Sequence, residues 1–243
     1  MAKKVLVLMG GFSAEREVSL TTGKCVCAAL KKAGYEVVPH DLQNGFELVE
    51  TLKKEKPDVV FNALHGNWGE DGEIQGFLDV LQVPYTHSGL KASVLGMDKS
   101  LTKELASENG IKVPQGEKMT FRKFKAEGTF LKMPYVIKPV SDGSSVSVYI
   151  IRKKEDAEAV RYEDNREILI EEFIDGKELT CMVLGSQAHV VTELRASDEF
   201  YDYHAKYTAG ATQHILPAEI PEDAANRCKL YAEHLHNILG CRS

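Results

Sequence analysis

The sequence predicts a parallel α/β domain at the N-terminus, followed by an α+β region dominated by antiparallel strands. Three observations carry this. Short apolar runs rich in β-formers alternate with helical stretches from Lys4 to Thr86. Beyond Asp98 the rhythm changes to closely spaced strands with few helices. The chain has 243 residues, 43% of them hydrophobic, and that suffices for an ordinary buried core.

The elements follow in order. Lys4–Met9 is a buried first strand, and Glu17–Lys32 a helix with Val18, Ala28, Ala29 and Leu30 at helical spacing, stopped at Gly34. Tyr35–His40 and Asp58–Ala63 are strands, Phe46–Lys54 and Gly72–Leu81 helices, and Pro84–Thr86 a short fourth strand. Such a sheet carries its sites in loops beyond the strand C-termini, here Gly10–Arg16 and Leu64–Glu73. Leu90–Asn109 is expected as one helix closing at Gly110, with an extended Val113-Pro114 after it. Tyr135–Pro139, Val146–Ile151, Ile168–Phe173, Glu178–Leu184 and His189–Arg195 are strands, with one helix, Glu155–Arg161, among them. Ala196–Thr212 is polar, aperiodic and long enough to be a functional loop, and Pro221–Leu239 is the last helix.

Composition narrows the classes. Asp and Glu total 36 against 30 Lys and Arg, for a net charge of -6, which argues against a nucleic-acid binder with its basic face. The apolar run Val5–Met9 ends at Gly10-Gly11 without a cleavage-type sequence, so a strand is expected there and not a signal peptide. No stretch reaches bilayer length. Five cysteines without CxxC spacing suit neither a disulfide framework nor a zinc site. They read as thiols in a reducing cytoplasm.

The phosphate-binding fingerprints come next. Gly10-Gly11-Phe12-Ser13-Ala14-Glu15 follows a strand and opens a helix but lacks GxGxxG, and Asp41 is the sole acid near the end of the second strand. No GxxxxGK[ST] occurs. A different pattern handles phosphate: Lys138 lies near the end of an apolar strand, followed at once by Val140-Ser141-Asp142-Gly143-Ser144-Ser145. Backbone N–H groups of such a loop, with a lysine ammonium, form a clamp for phosphates. The acidic end of Ile168–Ile174 suits an adenine amino group, and Glu178 suits ribose hydroxyls.

Together these segments resemble the D-alanine–D-alanine ligases of the ATP-grasp superfamily. The resemblance runs in family order through Gly10–Ser19, Ala63–Gly66, Gly69–Gly72 and Met97–Lys99. It continues through Val136–Pro139, Gly143–Val146 and Phe200–Tyr207. It implies a parallel α/β N-terminal substrate domain over residues 1–97, a central ATP-grasp subdomain over 98–178, and an incomplete C-terminal subdomain over 179–243. It further implies that two D-alanines are joined at the expense of ATP, for peptidoglycan precursors, through an acyl phosphate. By residue, it implies that Glu15 holds the ammonium of the first D-alanine and that Ser144 bonds both Glu15 and Tyr207. His65 lines the substrate end. Lys99, Lys138 and Ser144 hold ATP phosphates. Glu171 meets the adenine, Phe173 lines its pocket, Glu178 takes the ribose, and a mobile loop brings Lys206 to the γ-phosphate. Tyrosine at 207 favours a dipeptide over an ester. Homodimerisation is common among such ligases.

Each residue alone has an ordinary reading: Glu15 as a helix-start charge, Lys99 as a solvated helix lysine, Tyr207 as a loop aromatic, His65 as a satisfied loop or core histidine. The joint pattern outweighs them. Two departures stand out. Ser147 occupies a position where the family usually has glycine. The family's metal-binding strand, with its arginine and its ligands for Mg²⁺ or Mn²⁺, is expected beyond Ser243, so no residue here is assigned to a metal. A truncated ligase with little activity is therefore expected. A non-catalytic module binding D-alanine and nucleotide is the alternative.

Overall fold

The structure, a computed structural model, describes residues 2–143, 147–196 and 212–242. It divides into two compact units, Met1–Leu95 with Leu239–Ser243, and Gly96–Ile238.

The first unit is built on a parallel sheet of β1 (Lys4–Gly10), β2 (Glu36–Leu42) and β3 (Val59–Asn62), in the order β2-β1-β3. The expected fourth strand is present only as one parallel bridge between Val60 and Tyr85. Alternate residues of β1 face opposite layers. Val5, Val7 and Met9 pack with Cys27 of α1 (Arg16–Lys32). Leu6 and Leu8 pack with Leu48 and Leu52 of α2 (Gly45–Glu55) and with Ile74 and Leu78 of α3 (Glu73–Val80). Burial on both faces explains why β1 reads as one continuous apolar run. Gly23 sits inside α1 where a Cβ would lie 2.6 Å from the Cβ of Met9, so glycine lets the helix close on the strand.

The helix expected over Leu90–Asn109 is two helices, α4 (Leu90–Met97) and α5 (Lys99–Glu108). Asp98 interrupts it: its carboxylate accepts from the backbone N–H groups of Ser100 at 2.8 Å and Leu101 at 3.0 Å, an N-cap that starts α5 afresh.

In the second unit, β4 (Gly116–Thr120), β5 (Tyr135–Pro139), β6 (Tyr149–Ile151) and β7 (Glu167–Glu172) form an antiparallel sheet in the order β4-β7-β5-β6. Met119, Tyr135, Ile137, Ile151, Ile168 and Ile170 share its core face, packed with Phe121 and Phe124 of α6 (Phe121–Glu127). Neither β4 nor α6 was expected from the sequence. The short helix α7 (Lys154–Ala159) follows β6. A second antiparallel sheet orders β10-β9-β8, with β8 Glu178–Leu184, β9 Gln187–Ala196 and β10 Thr212–Ile215. Ala196 and Thr212, expected as the ends of a loop, instead pair with each other at the ends of β9 and β10. Residues 197–211 lie outside the described residues. The last helix, α8 (Glu222–Leu239), matches its expectation to within one residue at the start.

Candidate functional site

In the first unit, the loops after β1 and β3 are laced together by Ser13. Its Oγ donates to the His65 carbonyl at 2.6 Å and accepts from the Glu15 N–H at 3.1 Å. Glu15 opens α1 and is only 5% exposed. Gly66 adopts φ of +67°, and a Cβ there would lie 2.7 Å from Glu15 Oε2, so the second loop closes on the carboxylate because residue 66 has no side chain. His65 Nε2 lies 3.0 Å from Thr22 Oγ1, and its Nδ1 lies 3.4 Å from Glu70 Oε1. The other oxygen of Glu70 accepts from the Gly66 N–H at 3.0 Å. Glu70 holds the His65 imidazole above its ordinary pKa, against the opposing pull of burial. Phe12 and Trp68, both about half exposed, meet edge to face with centroids 5.4 Å apart and join the two loops again at their rim. A buried carboxylate and a positioned imidazole beside a helix start can hold a small amino acid by its ammonium.

Asp41 has a different task. Arg16 grips both its oxygens, at 2.8 and 2.7 Å, and holds the carboxyl below the usual carboxylate range. The acid that a dinucleotide turn would offer to a ribose is engaged by Arg16.

In the second unit, strand parity sets the site. Tyr135 and Ile137 enter the core, so Val136 and Lys138 face the other side of the sheet. On β7, Ile168 and Ile170 enter the core, so Glu171 faces that same other side. Val136 stands opposite Glu171, which puts Lys138 on the diagonal, and the two side chains form an ion pair. The second Glu171 oxygen lies 2.5 Å from the Lys103 ammonium of α5. The β4 residue opposite Glu171 is Gly116, where a Cβ would lie 2.4 Å from the Ile170 carbonyl and 3.1 Å from Lys103 Nζ. Lys99 Nζ donates to the Asp142 carbonyl at 2.6 Å, at the start of the loop that follows β5. Burial, and then the neighbouring Lys138, lower the Lys99 pKa. The Lys138 ammonium on the sheet, with those of Lys99 and Lys103 from α5 and the start of a Ser- and Gly-rich loop, suits a polyphosphate.

Phe173 follows β7, its N–H donating to Pro134 at 3.3 Å and its ring lying 5.2 Å from the Arg152 guanidinium carbon. Glu178 opens β8 opposite Leu194. Ser144, Lys206 and Tyr207 lie outside the described residues.

Comparison with known proteins gives these two sites a context. Residues 105–243 match the D-ala D-ala ligase C-terminus family and residues 44–88 the D-ala D-ala ligase N-terminus family. The D-alanine–D-alanine ligase of Paramagnetospirillum magneticum is 47% identical over 245 residues, covering 100% of this chain and 80% of that protein. The chain belongs to the D-ala D-ala ligase family. Another ligase of this name, from Sphingopyxis alaskensis, is 48% identical over 250 residues, with 98% of this chain and 79% of that protein covered. Among solved structures, the D-alanine–D-alanine ligase from Bacillus anthracis complexed with ATP superposes with a TM-score of 0.81 at 33% identity. That match covers 100% of this chain and 80% of the other. The VanG D-Ala:D-Ser ligase from Enterococcus faecalis gives 0.77 at 28% identity, covering 100% of this chain and 84% of the other. The expected fold class, a parallel α/β domain followed by an ATP-grasp fold, holds.

Other members of these two clusters carry weaker signals in the sequence. Ser13 and Gly66 lie inside the segments Gly10–Ser19 and Ala63–Gly66 without a chemical signature of their own. Thr22 and Lys103 carried no local signal, because one turn of helix decides where each side chain ends up. Among the described residues no three or more His, Cys, Asp and Glu side chains form a metal-binding group, and none of the described helices is long and apolar enough to cross a membrane.

Proposed function

We propose that this chain binds D-alanine and ATP and takes part in ATP-dependent ligation of two D-alanines to D-alanyl-D-alanine, a peptidoglycan precursor, in the cytoplasm. The observation that carries the reading is 47% identity to a D-alanine–D-alanine ligase along the whole chain. The two clusters of charge support it, one suited to an ammonium and one to phosphates. Residues 1–97 are assigned to the first substrate, 98–178 to the nucleotide, and 179–243 to the C-terminal ATP-grasp region. The family's habit of homodimerisation belongs to the same proposal.

In this mechanism Glu15 pairs with the ammonium of the first D-alanine, and His65 lines its pocket. The substrate carboxylate attacks the γ-phosphorus of ATP, the bond to the bridging oxygen breaks, and ADP leaves. Two anions meet in this step, so positive charge does most of the work. Lys99, Lys138 and Lys206 supply it, with the backbone of the loop holding Ser144. Glu171, Phe173 and Glu178 hold the adenosine. The amine of the second D-alanine then attacks the acyl phosphate carbon and inorganic phosphate departs. By resemblance to the family, Ser144 and Tyr207 are assigned to the first-substrate site together with Glu15. Water must be excluded, since it would hydrolyse the acyl phosphate. Mg²⁺ would supply charge neutralisation for phosphoryl transfer, but the described residues offer no group of three or more His, Cys, Asp and Glu side chains to hold it.

Calorimetry with ATP and D-alanine, beside phosphate release in their presence with Mg²⁺, tests the proposal. Binding of both with turnover supports a ligase. Binding of both without turnover supports a binding module. Binding of neither ends both readings.

A further inference from the structure

We propose that Lys103 is a positioning residue for the nucleotide: it neutralises Glu171 so that Lys138 is free to engage a phosphate. The inference rests on the reading that Lys138 and Glu171 serve the ATP site.

Glu171 is 4% exposed, and a carboxylate that deep needs a counter-charge within reach. Among the described residues it has two, Lys138 from the neighbouring strand β5 and Lys103 from helix α5. One carboxylate held by two ammoniums leaves a surplus positive charge on this sheet face. Were Lys138 its only partner, moving that ammonium to a phosphate would strand a buried anion, and Glu171 would compete with ATP for the same cation. Lys103 removes the competition. Lys99, one helical turn before Lys103, cannot substitute, because its ammonium is turned to the Asp142 carbonyl at 2.6 Å. The access of Lys103 is built into the fold. The residue opposite Glu171 on β4 is Gly116, and a methyl group there would press on Lys103 Nζ at 3.1 Å and on the Ile170 carbonyl at 2.4 Å.

The test is a double-mutant cycle on the full 243-residue chain, read as the calorimetric Kd for ATP, with thermal melting to verify folding. Lys103→Met should weaken ATP binding about tenfold or more, the scale of one charge-assisted hydrogen bond lost to a competitor. Glu171→Gln keeps an acceptor for an adenine amino group but no longer claims a cation. In that background Lys103→Met should change the Kd by less than about twofold, and the double variant should recover most of the loss. A merely structural ion pair would also be rescued by removing the carboxylate, but its loss would lower the melting temperature, whereas the positioning role weakens ATP binding in a chain that melts as the unaltered one does. ATP binding of Lys103→Met at the unaltered affinity overturns the proposal. So does a tenfold effect of Lys103→Met that persists in the Glu171→Gln background, which would place Lys103 directly on the nucleotide. The second comparison stands even if Lys103→Met alone fails to fold. Absence of ATP binding by the unaltered chain is a separate outcome: it removes the nucleotide reading and the role of Lys103 with it.

Discussion

Glu15 and His65 show how single side chains acquire a chemical role from their immediate neighbours. Glu15 is buried at a helix start, and its carboxylate has room because Gly66 carries no side chain. On the proposed function, Glu15→Gln should weaken D-alanine binding about tenfold or more by calorimetry, with little change in ATP affinity. His65 lies beside Glu70, which raises its pKa above the ordinary 6.5. A folded value above the unfolded one means the pair stabilises the protein at pH below about 6.5, and loses that contribution as pH rises through the raised value. Glu70→Gln should therefore lower the His65 midpoint in an NMR titration. It should also cost more thermal stability near pH 6 than at alkaline pH. An unchanged midpoint would show that Glu70 does not act on the imidazole.

The elements are set by features that a propensity argument gets partly backwards. Gly23 is a poor helix former, worth about 1 kcal/mol less than alanine in an exposed helix. Yet a Cβ there meets Met9 at 2.6 Å. Gly23→Ala should thus destabilise the protein in urea unfolding, against its helix propensity. Asp98 divides one apolar-periodic stretch into two helices by capping the second. Asp98→Ala should cost about 1 kcal/mol in the same experiment. Ser147 holds φ of +57° in the left-handed region, with its carbonyl accepting from the Tyr162 hydroxyl. Glycine adopts that conformation freely, and Ser147→Gly should raise the melting temperature, by an amount corresponding to roughly 1 kcal/mol. A lower melting temperature would mean that Tyr162 and its neighbours favour serine there.

At the scale of the molecule, the proposed function divides the chemistry between the two compact units, an ammonium assigned to the one with the parallel sheet and phosphates to the one with the antiparallel sheets. Each ligand should raise the melting temperature on its own, by about 2.7 kcal/mol of stabilisation at one hundred times its Kd. Trp68 is the chain's single tryptophan and rims the first site beside Phe12. Its fluorescence should respond to D-alanine and not to ATP alone, which gives the first unit a readout of its own. A response to ATP alone and none to D-alanine would contradict this division.

Much of this was legible in the residues themselves. The parallel sheet announced itself because strands buried on both faces read as unbroken apolar runs, as Val5–Met9 does. Glu15, His65, Lys99, Lys138 and Glu171 were legible as candidates because the family's motifs keep fixed local spacing, and local spacing survives in a sequence. Less legible were β4 and α6, where Gly116–Thr120 lacks the β-branched alternation that marks a strand and is held in place by pairing with β7. The ends of the long polar loop were misjudged for a similar reason, since the pairing of Thr212 with Ala196 joins residues far apart in the chain. What the sequence determined by itself was the class of each element and the residues that carry charge to the sites. Only the tertiary structure decided which charges meet. Lys103, Lys138 and Glu171 come from a helix and two strands, and strand parity, sheet register and an absent side chain at Gly116 bring them together. None of those three is a property of any one segment.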